Sequence, residues 1–266
     1  MPDFNPRALR KAVVQMAYAG STVHIACAFS IVEILAVLYR NHLRYPNDDP
    51  KAVDRDYLVL SKGHGVMAQY ACLHEKGWLP KSDLEHYFSD GSRLKGLSDA
   101  HVTGCEVTSG SLGHGLPVGV GMALAAKLNK TDQYCYVVVG DGEMNEGPMW
   151  EAMLFASHRA LDNLIVIVDE NGFQAMGTTA EVLDLGNLQD KFAAFGFETA
   201  SVNGHDELEL DDVLSRMKKN KNGVPKAIVA RTVKGKGVSF MEGSNLWHYT
   251  RLSEDTFRQA MSELER

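Results

Sequence analysis

The chain has no pair of cysteines close enough to work together. Cys27, Cys72, Cys105 and Cys135 stand at least 30 residues apart. That spacing leaves out a CxxC zinc site or a thioredoxin-like motif, and scattered single thiols fit a reducing cytoplasm. Long apolar runs are also missing. Residues 136–139 and 164–168 are the longest buried-looking stretches, far short of the ~20 residues that cross a bilayer. The first residues, MPDFNPRALRK, lack the apolar core of a secretory signal. There is no basic excess: 27 Lys+Arg against 34 Asp+Glu give a net charge of -7. A general nucleic-acid binder needs the opposite balance, although a locally basic pocket for a phosphorylated small molecule remains open. Repeats, low-complexity segments and a Pro/Gly/Ser-rich linker are all lacking. What remains, 266 residues with 45% hydrophobic, is ordinary globular composition. It is read as one domain over residues 1–266, with an irregular arm from about residue 234.

Periodicity supplies the architecture. Residues 7–42 read as helix, with 31–39 apolar nearly all round and therefore buried. A short strand at 57–60 runs into Ser61-Lys62-Gly63-His64-Gly65, and a helix follows over 66–77. Residues 89–115 show no clear period, and such long connections are usually functional. A helix rich in small residues spans 116–128. Then come a strand (134–139), a helix (147–159) and a strand (163–168), a βαβ unit whose strands should be parallel. Helix 188–195, strand 197–202, helix 208–219 and strand 226–231 continue the alternation, and 252–266 reads as an amphipathic helix. The fold class is α/β, a largely parallel sheet flanked by helices.

In such a sheet ligands sit at the carboxyl ends of the strands. SKGHG at 61–65, GDGEMNEG at 140–147 and DENG at 169–172 are predicted to lie there. Asp141 and Asn171 follow neighbouring strands and both offer hard oxygen. Mg²⁺ takes about six such oxygens, commonly some from phosphate. Gly140, Gly142 and Gly147 let a bulky anion approach the backbone, and the next helix presents its free N–H groups. A lone GDG is usually a turn or helix cap; Asn171 after the next strand is what makes a diphosphate–Mg²⁺ clamp the better reading.

GDGEMNEG with Asn-Gly following is similar to the thiamine-diphosphate motif. Together with SKGHG, GSLGHG at 110–115, DNLIVIVDENG at 162–172 and ARTVKGKGVSFMEG at 230–243, it resembles the N-terminal, diphosphate-binding part of transketolase. The resemblance runs from about Ala17 to His248. It implies that Asp141, Asn171 and the carbonyl of Phe173 hold Mg²⁺ or another divalent cation. It implies that His64, Gly110, Ser111, Leu112, Gly142, Glu146, Asn171 and His248 contact thiamine diphosphate. Glu146 would reach towards the cofactor-activating glutamate of another chain. His24, His64, His101 and His248 would line the substrate channel, where imidazoles suit proton transfer near neutrality. His42, His74, His86, His158 and His205 are read as surface or packing residues.

Three places depart from the family's pattern: Ala26-Cys27 in HIACAFS, His114 in GSLGHG, and GLSDAH at 96–101. The cofactor side matches better than the substrate side. A full transketolase also carries pyrimidine-binding and C-terminal domains. The expectation is therefore a split enzyme in a 2+2 assembly with a separate subunit bearing them, moving a two-carbon ketol unit between sugars. A thiamine-dependent acyl or ketol transferase or synthase on a non-standard substrate is the alternative. A 2-oxo acid dehydrogenase component and a non-catalytic binding protein rank below both.

Overall fold

Strands β1 (Tyr57–Leu60), β2 (Cys135–Gly140), β3 (Leu164–Glu170), β4 (Glu198–Asn203) and β5 (Lys226–Arg231) form a single sheet in the order β1-β2-β3-β5-β4. Every pairing is parallel. The computed structural model describes residues 2–265, so Met1 and Arg266 of the expected domain lie outside the described residues. The central strands are buried along their length because both faces are covered. Alternate residues feed two cores. Tyr136, Val138, Ile165, Ile167 and Ile228 join one; Val137, Val139, Val166, Val168 and Val229 join the other. This is why the strands read as continuous apolar runs rather than alternating ones. Burying each such side chain contributes ~1.5–3 kcal/mol.

The helices are α1 (Pro6–Ala19), α2 (Ile25–Phe29), α3 (Val32–Val37), α4 (Val66–Glu75), α5 (Lys81–Glu85), α6 (Gly115–Leu128), α7 (Gly147–His158), α8 (Thr179–Leu183), α9 (Leu188–Ala194), α10 (Glu207–Lys219) and α11 (Glu254–Glu263). Helices α1, α3, α4 and α10 supply the first core. Helices α6, α7 and α9 supply the second. The tight approach of α6 is written in its first residue. A side chain on Gly115 would meet Ser61 Cα at 2.5 Å, so only glycine lets α6 start beneath the SKGHG turn.

The single helix expected over residues 7–42 is instead broken. Helix α1 is capped by Asn5, whose side chain accepts from Arg7 and Ala8 N–H, and stops at Gly20. Extended backbone follows, and Val23 bridges Thr250 by reciprocal hydrogen bonds of 2.9 and 3.1 Å. That bridge competes with helical pairing and turns the chain so that His24 stands at the N-cap of α2. The last turn, Leu38–His42, is a π-helix. Residues 86–114 hold no helix or strand, but they are pinned to the sheet. Ser109 donates to the Leu60 carbonyl at 2.6 Å, and Arg55 pairs with Glu106 at 2.6 Å. The short helices α5 and α8 escape the periodicity because each is only five residues long.

Candidate functional site

The parallel pairing brings the carboxyl ends of β1, β2, β3 and β5 to one edge. There His24, Cys27, Lys62, His64, Leu97, Gly110, Leu112, Asp141, Gly142, Glu146, Asn171, Phe173, Gln174, Lys234 and His248 share the lining of a cleft of about 470 Å³. Gly140 lies opposite Asp169 in the sheet. Asp141 therefore leaves β2 beside the segment that carries Asn171 out of β3.

One buried carboxylate ties the motifs together. Glu143 accepts from Ser61 Oγ (2.5 Å), Gly113 N–H (2.9 Å) and Gly140 N–H (3.2 Å). Those donors come from SKGHG, GSLGHG and GDG respectively. Burial pushes the Glu143 carboxyl up, against these hydrogen bonds. A second buried group, Asp169, pairs with Lys62 and also accepts from Ser30, Thr232 and Asn171. Burial alone would raise Asp169; the Lys62 ammonium outweighs it and holds the carboxyl below its ordinary value.

Asp141 is buried at the N-cap of a short 3₁₀ turn, Gly142–Asn145. Its oxygens accept from Gly142 N–H at 2.7 Å and Gly172 N–H at 2.6 Å. Burial first, and the negative charge of Asp169 second, lift its pKa to about 7. A carboxylate held this far from water, with another anion near it, is poised to gain from a cation. Among the described residues no cluster of three or more His, Cys, Asp and Glu could hold a metal. The set here is different: one carboxylate, the Asn171 amide and the Phe173 carbonyl, the hard oxygen donors that Mg²⁺ takes. Asn171 Oδ1 accepts from Phe173 N–H at 3.0 Å, which leaves it a second lone pair.

Three imidazoles face each other across the cleft. His24 lies 5.3 Å from His64 and 5.5 Å from His248 between ring centroids, and His64 lies 5.7 Å from His248. Burial, then the charges of Lys234 and Lys62, lower His24 to about 4. Burial, Lys234, His24 and Lys62 lower His248 to about 3. His64 is held well below its usual value by burial and then by Lys62. All three are neutral at physiological pH. Lys234 Nζ lies 2.8 Å from His248 Nδ1. An ammonium only donates, so Nδ1 accepts and the His248 proton sits on Nε2.

Known proteins share both the sequence and the architecture. Residues 5–265 match the family described as transketolase, thiamine diphosphate binding domain. The chain belongs to the transketolase family. It is 39% identical over 257 residues to an apulose-4-phosphate transketolase subunit of Phocaeicola vulgatus, covering 96% of this chain and 90% of that one. It is 40% identical over 244 residues to the 6-deoxy-6-sulfo-D-fructose transketolase subunit SqwG of a Clostridium species, covering 91% of this chain and 88% of that one. A solved transketolase from Leishmania mexicana superposes with a TM-score of 0.91 at 34% identity over 98% of this chain. The chain spans 41% of that transketolase's length.

Within this transketolase-family domain most of the residues picked from sequence gather in the cleft. His101 does not. Its side chain is 94% exposed and hydrogen-bonded at 2.7 Å to Asp99, which ties it outward, and it is absent from the lining. The expected place of His101 on the substrate side is corrected accordingly: the same loop presents Leu97 to the cleft instead. Ser111 and His114 lie beside a neighbouring cavity with Gly110, and Ser111 Oγ is 3.4 Å from His114 Nδ1. His42 and His205 are engaged elsewhere, with Asp211 and Glu33. Sequence reasoning passes over Lys234, Glu143, Asp169 and Lys62. Each lies inside a quoted motif, and the available signal is a charged residue in a stretch that has to be buried.

Proposed function

We propose that this chain is the diphosphate-binding subunit of a two-chain, thiamine-diphosphate- and divalent-cation-dependent transketolase that moves a two-carbon ketol unit from a ketose to an aldehyde. The observation that carries the reading is the convergence, at one sheet edge, of Asp141, Asn171 and the Phe173 carbonyl with neutral His24, His64 and His248. Support for a separate second chain is that relatives named as transketolase subunits are spanned over 88–90% of their length. We take the assembly to be 2+2 and cytoplasmic, the latter because all four cysteines are free thiols.

The residues fit the cofactor. The buried Asp141 carboxylate, the free lone pair of Asn171 and the Phe173 carbonyl would hold Mg²⁺, and Gly142 with His64 and the 110–112 turn would accept the diphosphate. When bound, thiamine diphosphate supplies an electron sink for carbon–carbon bond cleavage. The chain's own part is positioning and proton handling. His248, with its proton on Nε2, can donate to a substrate oxygen. His24 and His64, neutral and half-buried, can accept a proton from a substrate hydroxyl. Glu146 is exposed at the rim, where the partner subunit would meet it.

The alternative, a synthase or transferase for a non-standard substrate, draws on one observation. Leu97, 40% exposed, puts an apolar wall where a polar group was expected. The test of the main reading is calorimetric titration of the chain, assembled with its partner subunit, with thiamine diphosphate in the presence and absence of Mg²⁺. It is followed by a panel of phosphorylated, sulfonated and neutral ketoses. Cofactor uptake only with the cation, then ketol transfer, is expected. Uptake indifferent to the cation, or none at all, overturns it.

A further inference from the structure

Asp169 is not part of the lining of the cleft, yet it takes hydrogen bonds from Ser30, Lys62, Asn171 and Thr232. It is fully buried at the end of β3. One of its oxygens accepts from Thr232, after β5. The other accepts from Ser30 Oγ at 2.7 Å, from Lys62 Nζ, and from Asn171 Nδ2 at 2.8 Å. Four separate segments therefore meet at this carboxyl, and one of them carries the amide assigned above to the cation.

An amide can be turned over with little change in shape, and turned over it offers a metal its NH₂ rather than its oxygen. A cation rejects that face. Asp169 removes the ambiguity. The Asp169 oxygen that faces Asn171 already accepts from Lys62 Nζ, a group that only donates, so it is an acceptor and the group of Asn171 that faces it must be the NH₂. Phe173 N–H, a donor only, meets Asn171 Oδ1 from the other side at 3.0 Å and sets the same orientation. The side chain is locked in one sense. Lys62 Nζ and Ser30 Oγ donate to the same Asp169 oxygen, which holds the carboxyl in place against Asn171.

We propose that Asp169 is a positioning residue that makes Asn171 a metal ligand by fixing which end of its amide faces the cation. The inference rests on the thiamine-diphosphate–Mg²⁺ reading of the same cleft. The lock has a consequence that a merely structural ion pair lacks. Asp169→Asn puts an amide against an amide, weakens the acceptor that Asn171 Nδ2 meets, and leaves Phe173 N–H as the one contact that still sets Asn171. A carboxylate at position 171 would need no such setting, since it offers oxygen whichever way it turns.

The experiment uses the full chain assembled with its partner subunit, and Mg²⁺ is the titrant at saturating thiamine diphosphate, with cofactor binding as the readout. Asp169→Asn should raise the Mg²⁺ concentration for half-saturation about tenfold to a hundredfold, the usual cost of losing a residue that orients a ligand. The exchange Asp169→Asn with Asn171→Asp keeps the composition and charge of the site, and should return half-saturation to within about threefold of the parent, since either carboxylate oxygen serves the cation. Melting of the metal-free assembly shows whether each variant is folded. Should Asp169→Asn not fold, Thr232→Val, which loosens the carboxylate without removing it, is read in the same titration and should weaken Mg²⁺ about threefold. An unchanged Mg²⁺ requirement in the folded single variant overturns the proposal. So does an exchange variant no better than the single one, which would mark Asp169 as structural. If the parent assembly itself takes up thiamine diphosphate without Mg²⁺, the reading of the cleft fails and this inference falls with it; Mg²⁺ dependence in the parent with none of the predicted shifts refutes only the role of Asp169.

Discussion

Removing the Glu143 side chain should do more damage than removing any histidine of the cleft, and to a different property. Glu143 is 2% exposed and takes hydrogen bonds from Ser61 Oγ, Gly113 N–H and Gly140 N–H. Glu143→Ala leaves two backbone donors and one hydroxyl without their acceptor at the nearly buried edge of the cleft. Each unsatisfied buried donor costs ~1–3 kcal/mol. Gross loss is then ~3–9 kcal/mol, if nothing relaxes. Two effects reduce it. Burial raises the carboxyl's pKa, so holding the charge there already costs part of the gain. The cavity left at the cleft rim can also admit water, which would satisfy some donors. A net loss of about 2–4 kcal/mol is expected. Glu143→Gln keeps one acceptor oxygen and places an NH₂ against a donor, so it should lose about half as much.

Urea denaturation of the assembled protein reads the stability loss, and thiamine-diphosphate titration reads the cleft. The two should fall together, because the three loops that Glu143 joins are the ones that would hold the diphosphate. A loss under about 1 kcal/mol for Glu143→Ala, with cofactor affinity intact, would refute the idea that this carboxylate holds the motifs in register.

Asp141→Ala should abolish Mg²⁺-dependent thiamine-diphosphate binding while leaving the fold intact; calorimetry showing parental affinity would sink the metal assignment. His24→Ala should slow turnover about 10²–10⁴-fold with little effect on cofactor affinity, whereas His101→Ala, at a 94% exposed side chain, should remain near the parental rate in the same steady-state assay. Acid should destabilise the cofactor-free protein in two stages, because His24 (about 4), His248 (about 3) and Glu33 (about 2) all titrate below their ordinary values when folded. The histidines' contribution is full above the unfolded pKa of ~6.5 and is lost as pH falls towards their folded values, while Asp141, lifted to about 7, adds stability over the same fall and offsets part of the loss; that of Glu33 is lost from ~4.3 downwards, so His24→Ala with His248→Ala should lose less stability than the parent between pH 7 and 4, and equal losses in denaturant midpoint would contradict it. Glu33, buried among Arg10 and His205 where their hydrogen bonds and charge outweigh burial, should cost about 3–5 kcal/mol when changed to Ala, since Arg10 is left unpaired.

Much of the fold is legible in the residues because the strands carry their own signal. Residues 135–139 and 164–168 are apolar on both faces and mostly β-branched, and a segment of that kind has no stable place except between two layers of helix. The motif turns then have to fall at the strand ends, and Asp141, Asn171, His64 and His248 do meet there. Local pattern fails where a distant partner decides the backbone. Nothing in Gly20-Ser21-Thr22 announces that Val23 will bridge Thr250, so the break that delivers His24 to the cleft reads as continuous helix. His101 is a candidate only through the family resemblance, in a loop that departs from the family's pattern. The loop turns on the Asp99 cap, and what reaches the cleft is Leu97.

Three of the residues that sequence reasoning passes over share a physical reason. Glu143, Asp169 and Lys62 are charged side chains in the interior, and a sequence motif does not say which of its polar positions point inward. Their value depends on partners far along the chain: Glu143 on Ser61 and Gly113, Asp169 on Ser30, Lys62 and Thr232. A buried charge survives only when such partners are in place. The presence of three charged residues in turns that must pack under a cleft is therefore a prediction in itself. Each has to find an opposite charge or a set of donors, and the places where they do are the joints between the motifs. The cofactor side of this chain is over-determined by those joints. Its substrate side, with Leu97 and an outward His101, is held by few of them, and that is where sequence and geometry part company.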